Sequence, residues 1–182
     1  MQSFIFRKIL ICKTLIGIIK VDSKFRKERV EIINMSTEYT NIASEINETY
    51  SAATLTIDGV DYDVKVHCCH STVSSTDDIC IIISDKYYKY VRLLATFFCK
   101  TNEMKIEDIQ IELHDVNKHY GSAALEILLK IGTRYRTMKY YGIISYGDIK
   151  EQDHKDRLIH FYEKHGFTVD IEKMRLEKRI SR

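Results

Sequence analysis

Neither proline nor tryptophan occurs in the 182 residues, an absence without mechanistic weight. Other absences exclude more. The five cysteines (Cys12, Cys68, Cys69, Cys80, Cys99) are odd in number and lack framework spacing. They therefore fit a reducing, cytoplasmic setting better than a disulfide scaffold. A formal charge of +2 gives no argument for nucleic acid, which needs a clustered basic surface. The C-terminal run Lys173, Arg175, Lys178, Arg179 and Arg182 reads as a solvated edge or tail. Arg7, Lys8, Lys13 and Lys20 cut the apolar first stretch into short pieces. A membrane span wants ~20 apolar residues and a signal peptide an unbroken core of roughly 7 to 15, so neither is expected. His67-Cys68-Cys69-His70 holds metal-type side chains, but neighbours on a strand point to opposite faces, and no second pair has zinc spacing. No metal is expected. Nor does Cys99 with any histidine carry a nucleophile signature.

What is present is the composition of one ordinary globular domain, 45% hydrophobic and 30% charged. Residues 1–35 read as an N-terminal extension, with Met35 a candidate start, and 36–182 as the domain. Thr54 to Ile57, Asp58-Gly59 and Val60 to Val66 form a hairpin signal, because Asp-Gly suits a type I′ turn and Val60, Tyr62, Val64 and Val66 alternate with polar residues. Ser71 to Asp78 reads as a loop. Strands are expected at Ile79 to Ser84, Tyr90 to Cys99 and Lys105 to His114, the last with Ile109, Ile111 and Leu113 on one face. From Gly121 the period becomes helical through Ala124, Leu125, Leu128 and Ile131. A strand follows at Met138 to Ser145, then a helix capped by Asp153, running to Lys164 and stopped by Gly166. Strands close the chain at Phe167 to Val169 and Met174 to Ile180. The class is α/β (α+β): a mixed, mostly antiparallel sheet with flanking helices.

Two segments carry chemistry. Lys118-His119-Tyr120-Gly121-Ser122-Ala123 joins a strand to a helix. There, free N–H groups and the positive helix end can hold a pyrophosphate, with a small residue allowing close approach. The second is the helix ending Phe161-Tyr162-Glu163-Lys164-His165-Gly166-Phe167. Its Tyr-x-Lys-x-Gly-Phe ending resembles motif B of the GNAT superfamily of N-acetyltransferases, in a small bacterial or phage-like branch. The first segment then resembles motif A in either of two registers. In one, Lys118, Gly121 and Ala123 take the motif positions; in the other, His119-Tyr120-Gly121-Ser122 stands for a Gly-Tyr-Gly-Ser version. The resemblance covers roughly residues 79 to 170. It departs before that, where only Ser36 to Tyr50 offers one of the two expected substrate-binding helices.

The resemblance implies acetyl-CoA as co-substrate, an amine as acceptor, direct attack, and a monomer or homodimer. Residues Ile111 to Leu113, with Ile111 and Leu113 themselves assigned, would hold the pantetheine arm. Lys118, His119, Tyr120, Gly121, Ser122 and Ala123 would hold the pyrophosphate. Tyr162 would protonate the leaving thiolate, a phenol of pKa ~10 facing a thiol of ~8 to 9. Glu107, Glu112, His114 and Asp148 are candidate bases near strand ends, and a water chain is an equal candidate. Two other readings stay open: a non-catalytic binding module on the same fold, and a nucleic-acid or membrane-surface binder resting on Lys/Arg at residues 7 to 29 and 173 to 182.

Overall fold

The computed structural model describes residues 20–21, 30–40, 46–57, 60–71, 73–87, 90–112 and 120–181. Among the described residues ten strands form one sheet: β1 (Lys20–Val21), β2 (Val30–Thr40), β3 (Ile46–Ile57), β4 (Val60–Ser71), β5 (Thr76–Ser84), β6 (Tyr90–Phe98), β7 (Glu103–Ile111), β8 (Lys139–Ile143), β9 (Thr168–Asp170) and β10 (Arg175–Arg179). Their spatial order follows the chain except at the end, where β10 lies between β8 and β9. Among these strands only the β7–β8 pair is parallel. That pair needs a crossover, supplied by helix α1 (Tyr120–Tyr135). A short α2 (Tyr146–Ile149) and α3 (Gln152–Lys164) follow β8. The mixed, mostly antiparallel sheet with flanking helices is the class the sequence indicates.

Several elements differ from the sequence reading. Ser36 to Tyr50 supplies no helix in its described part, which divides between β2 and β3. Strand β4 runs on to Ser71, so His67 to His70 lie inside it. Ile57 pairs with Val60 as a two-residue turn requires; Asp58 and Gly59 lie outside the described residues. Thr76 to Asp78 belongs to β5 instead of a loop. The cap of α3 is Glu151, without a side-chain bond, and Asp153 sits in the first turn.

The sheet buries one face against α1. Odd positions of β5 and β6 (Ile79, Ile81, Ile83, Val91, Leu93, Phe97) are fully buried, while the even ones are half-covered or exposed. The three successive isoleucines after Cys80 are therefore not buried alike: Ile82 looks to the other face. Each fully buried Ile or Phe contributes about 1.5–3 kcal/mol. From α1 the opposing layer is Ala124, Leu125, Ile127, Leu128 and Ile131. Tyr140 reaches under the helix at Gly132 and donates its hydroxyl to the Leu129 carbonyl at 3.1 Å. A Cβ at Gly132 would stand 1.8 Å from that hydroxyl, so only glycine admits the ring there.

Candidate active site between two diverging strands

Apolar parity changes inside β7. Met104 and Ile106 are even, Ile109 and Ile111 odd, and all four must share the helix-facing side. An extra residue reconciles them: Ala95 pairs with Ile106 but Leu94 with Asp108, leaving Glu107 as a bulge. Met104 and Ile106 then lie opposite Phe97 and Ala95, and Ile109 and Ile111 opposite Leu93 and Val91, all positions of one face. A bulge also bends its strand and sharpens the twist. The parallel ladder of Glu103–Ile106 with Lys139–Gly142 ends at that bulge. Beyond it β7 continues with β6, and β8 with β10 as far as Ile143↔Arg175. Two strand edges therefore diverge.

The N–H of Glu112 donates to the Tyr90 carbonyl at 2.9 Å. Antiparallel ladders alternate, so the N–H and C=O groups of Ile109 and Ile111 turn away from β6, into the gap. Side chains at its rim are apolar and open: Ile111 is 46% exposed, Ile143 70% and Tyr146 77%.

The first turn of α1 stands at the same end of β7. Tyr120, Gly121, Ser122 and Ala123 are buried, and the turn carries no acidic residue to compete for its N–H groups. Tyr120 points inward, its hydroxyl 2.6 Å from that of Tyr62, so its ring is core and only its backbone faces the turn. At Gly121 a Cβ would stand 3.3 Å from Ile111 Cδ1 and 3.4 Å from the Phe161 ring. The missing side chain thus lets strand end, α1 and α3 meet. Leu113, His114, Lys118 and His119 lie outside the described residues.

The end of α3 explains part of its own signature. Phe167 N–H donates to the Tyr162 carbonyl at 3.1 Å and Gly166 N–H to Glu163 at 2.8 Å. Gly166 has φ +78°. This is a Schellman termination, completed by the Tyr162 and Phe167 rings at 5.5 Å. Tyrosine, glycine and phenylalanine at this spacing are what the cap requires. The Tyr162 hydroxyl is not used by the cap. Burial pushes it well above the usual phenol range, and the negative charges of Asp148 and Asp108 push it further. Both carboxylates belong to the diverging lips: Asp108 follows the bulge, and Asp148 sits in α2 just after β8.

Asp148 is fixed by a capping box, accepting from Ser145 N–H at 3.0 Å while its own N–H donates to Ser145 Oγ at 3.2 Å. Its Oδ1 lies 3.8 Å from His154 Nε2. Glu107 pairs with Lys105 at 2.6 Å, and Glu112 bonds the Tyr90 hydroxyl. His165 is pushed down to about 4 by burial and by Lys164 and Lys178, so it is neutral near pH 7. Among the described residues its Nε2 has no partner. The sequence does not single out Asp108 or His165; the parity switch around Glu107 is the signal that locates the first. A cavity of about 570 Å³ bounded by Arg136, Thr137, Tyr140 and Lys178 opens at the start of β8, the end opposite the divergence.

No helix of the described residues is long and apolar enough to cross a membrane. No protein-family profile matches the chain, and no curated sequence does. The solved structure of nourseothricin acetyltransferase is similar over 81% of this chain and 99% of that one, at 9% identity and a TM-score of 0.46. At that distance the likeness assigns no chemistry.

Proposed function

We propose that the protein is an acyltransferase that moves an acetyl group from acetyl-CoA to an amine by direct attack. The observation that carries this reading is the divergence of β7 from β8 at the Glu107 bulge, with the start of α1 against the end of β7. An extended pantetheine arm carries amides, and the gap offers the backbone edge of Ile109 and Ile111, unpaired among the described residues. The pyrophosphate would lie along Lys118, His119, Tyr120, Gly121, Ser122 and Ala123, since a helix N-terminus favours an anion.

In the reaction the neutral amine attacks the thioester carbon, forming the C–N bond. The tetrahedral oxyanion takes hydrogen bonds from strand N–H groups in the gap. Collapse breaks the C–S bond, and the amine loses its surplus proton to a carboxylate or water. Tyr162 hydrogen-bonds the departing sulfur. Its raised proton affinity keeps it protonated, and makes full transfer to a thiolate more uphill than for a free phenol.

Thermal melting and thiol release test the reading. Acetyl-CoA at a hundredfold excess over its Kd should stabilise the fold by about 2.7 kcal/mol, roughly 5–10 °C for a chain of this size. Tyr162→Phe keeps the capping ring and should lower kcat by about a hundredfold or more. Unchanged turnover removes the tyrosine from the mechanism. A coenzyme-induced shift with no thiol release across an amine panel leaves a binding module instead.

A further inference from the structure

Away from the divergence, three strand ends bring together side chains that the sequence keeps apart. His70 is at the end of β4, Asp77 at the start of β5, and Cys99 just past β6. His70 and Asp77 are direct register partners, Asp77 pairs with Phe97 two residues before Cys99, and Cys99 N–H bonds the Ser75 carbonyl at 3.1 Å. All three continue the helix-facing sets of their strands: Val66 and Cys68 lead to His70, Ile79 leads back to Asp77, and Phe97 leads to Cys99. Of His67-Cys68-Cys69-His70, alternation therefore sends only Cys68 and His70 to this face.

The Asp77 carboxylate is the unusual member. Its side chain is 6% exposed, and it contacts His70 Nδ1. Cys99 Sγ approaches the same oxygen at 4.0 Å. A buried carboxylate is costly unless a positive charge stays with it. One donor atom from each residue falls within 4.8 Å of the others. In a tetrahedral site with bonds of ~2.0–2.3 Å the donors stand roughly 3.3–3.6 Å apart. Rotamer adjustment of about 1 Å therefore separates the present arrangement from a coordinating one. One imidazole, one thiolate and one carboxylate form a donor set that suits a borderline divalent ion.

We propose that His70, Asp77 and Cys99 bind a divalent transition-metal ion, with zinc the expected occupant and water in the fourth position. On binding, the Cys99 thiol gives its proton to solvent, the His70–Asp77 contact opens, and each donates a lone pair to the metal. Thiolate and carboxylate together neutralise the dication. The ion ties the ends of β4, β5 and β6 across two connections, at the opposite end of the sheet from Ile111, so its role is structural.

The test uses the full chain stripped with a chelator and titrated with Co2+, then Zn2+. One equivalent of Co2+ should bind with a thiolate-to-cobalt charge-transfer band that Zn2+ bleaches, with a proton released. Cys99→Ser should abolish the band, His70→Ala should weaken binding at least about tenfold, and Cys69→Ser should change neither. Absence of the band in the wild-type protein overturns the site and leaves a buried His70–Asp77 contact beside a thiol. So does a band that survives Cys99→Ser or is lost in Cys69→Ser. The wild-type spectrum decides even where a variant fails to fold.

Discussion

Replacing Gly132 by alanine tests the packing that sets the site. On an exposed helix the change would stabilise by about 1 kcal/mol. Here the new methyl would lie 1.8 Å from the Tyr140 hydroxyl, 2.6 Å from Cζ and 2.9 Å from Cε1. Tyr140 is among the largest fully buried side chains, so the ring cannot swing into solvent. It gives up its bond to the Leu129 carbonyl, about 1 kcal/mol, and α1 lifts from β8 with an overpacking cost of ~1–3 kcal/mol. After the propensity gain, the net loss is about 2 kcal/mol, a fall in Tm of roughly 4–8 °C. Tyr140→Phe should rescue only slightly, because ring carbons already overlap the methyl. Tyr140→Leu should rescue more, giving a coupling of about 1–2 kcal/mol in a double-mutant cycle read by denaturant unfolding. If Gly132→Ala melts at or above the parent, α1 does not lie on β8 as described. The relative placement of α1, β7 and β8, on which the divergence depends, would then be wrong.

Further outcomes follow from the same structure. Gly166→Ala places a β-carbon at φ +78°, 3.3 Å from Lys178 Nζ, and should cost about 1–3 kcal/mol in chemical denaturation; a neutral result would contradict the left-handed cap. His165 has a folded pKa of about 4 against ~6.5 unfolded. It leaves stability untouched above pH 6.5, then destabilises progressively as pH falls toward 4, because only the unfolded chain takes up the proton. His165→Gln should flatten that part of a Tm-versus-pH curve, and an unaltered slope would assign acid sensitivity elsewhere. Deleting Glu107 removes the bulge residue and leaves Met104, Ile106, Ile109 and Ile111 in one unbroken alternation. The chain should still melt cooperatively but lose coenzyme binding, and a folded deletion with unchanged coenzyme binding would refute the role given to the bulge.

Much of the fold is local and therefore legible in the sequence. A two-residue Asp-Gly connection fixes the β3–β4 register, the 3.6-residue period marks α1, and tyrosine, glycine and phenylalanine at capping spacing end α3. Each depends on residues within a few positions of one another. Capping chemistry, however, is also why a motif ending in Gly-Phe says less about catalysis than its spelling suggests: the ring of Tyr162 has a structural use of its own. The parity switch between Ile106 and Ile109 was present in the sequence too. An uninterrupted strand spanning both pairs cannot place them on one face, so the bulge follows from a single rule of alternation.

What the tertiary structure alone decided is what lies across the bulge and at the far end of the sheet. No local rule states that β8 stays with β10 while β7 stays with β6, or that Gly121 is small because Ile111 and Phe161 meet over it. The charges of Asp108 and Asp148 bear on one phenol only because residues far apart in sequence share one neighbourhood. His70, Asp77 and Cys99 are neighbours only because three antiparallel strands end in register. Sequence by itself determined elements such as the β3–β4 hairpin and α1, whose own pattern sets burial and hydrogen bonding, but not the strands over Ser36 to Tyr50. Which elements become neighbours depends on long-range packing, and both candidate sites are made of such neighbours.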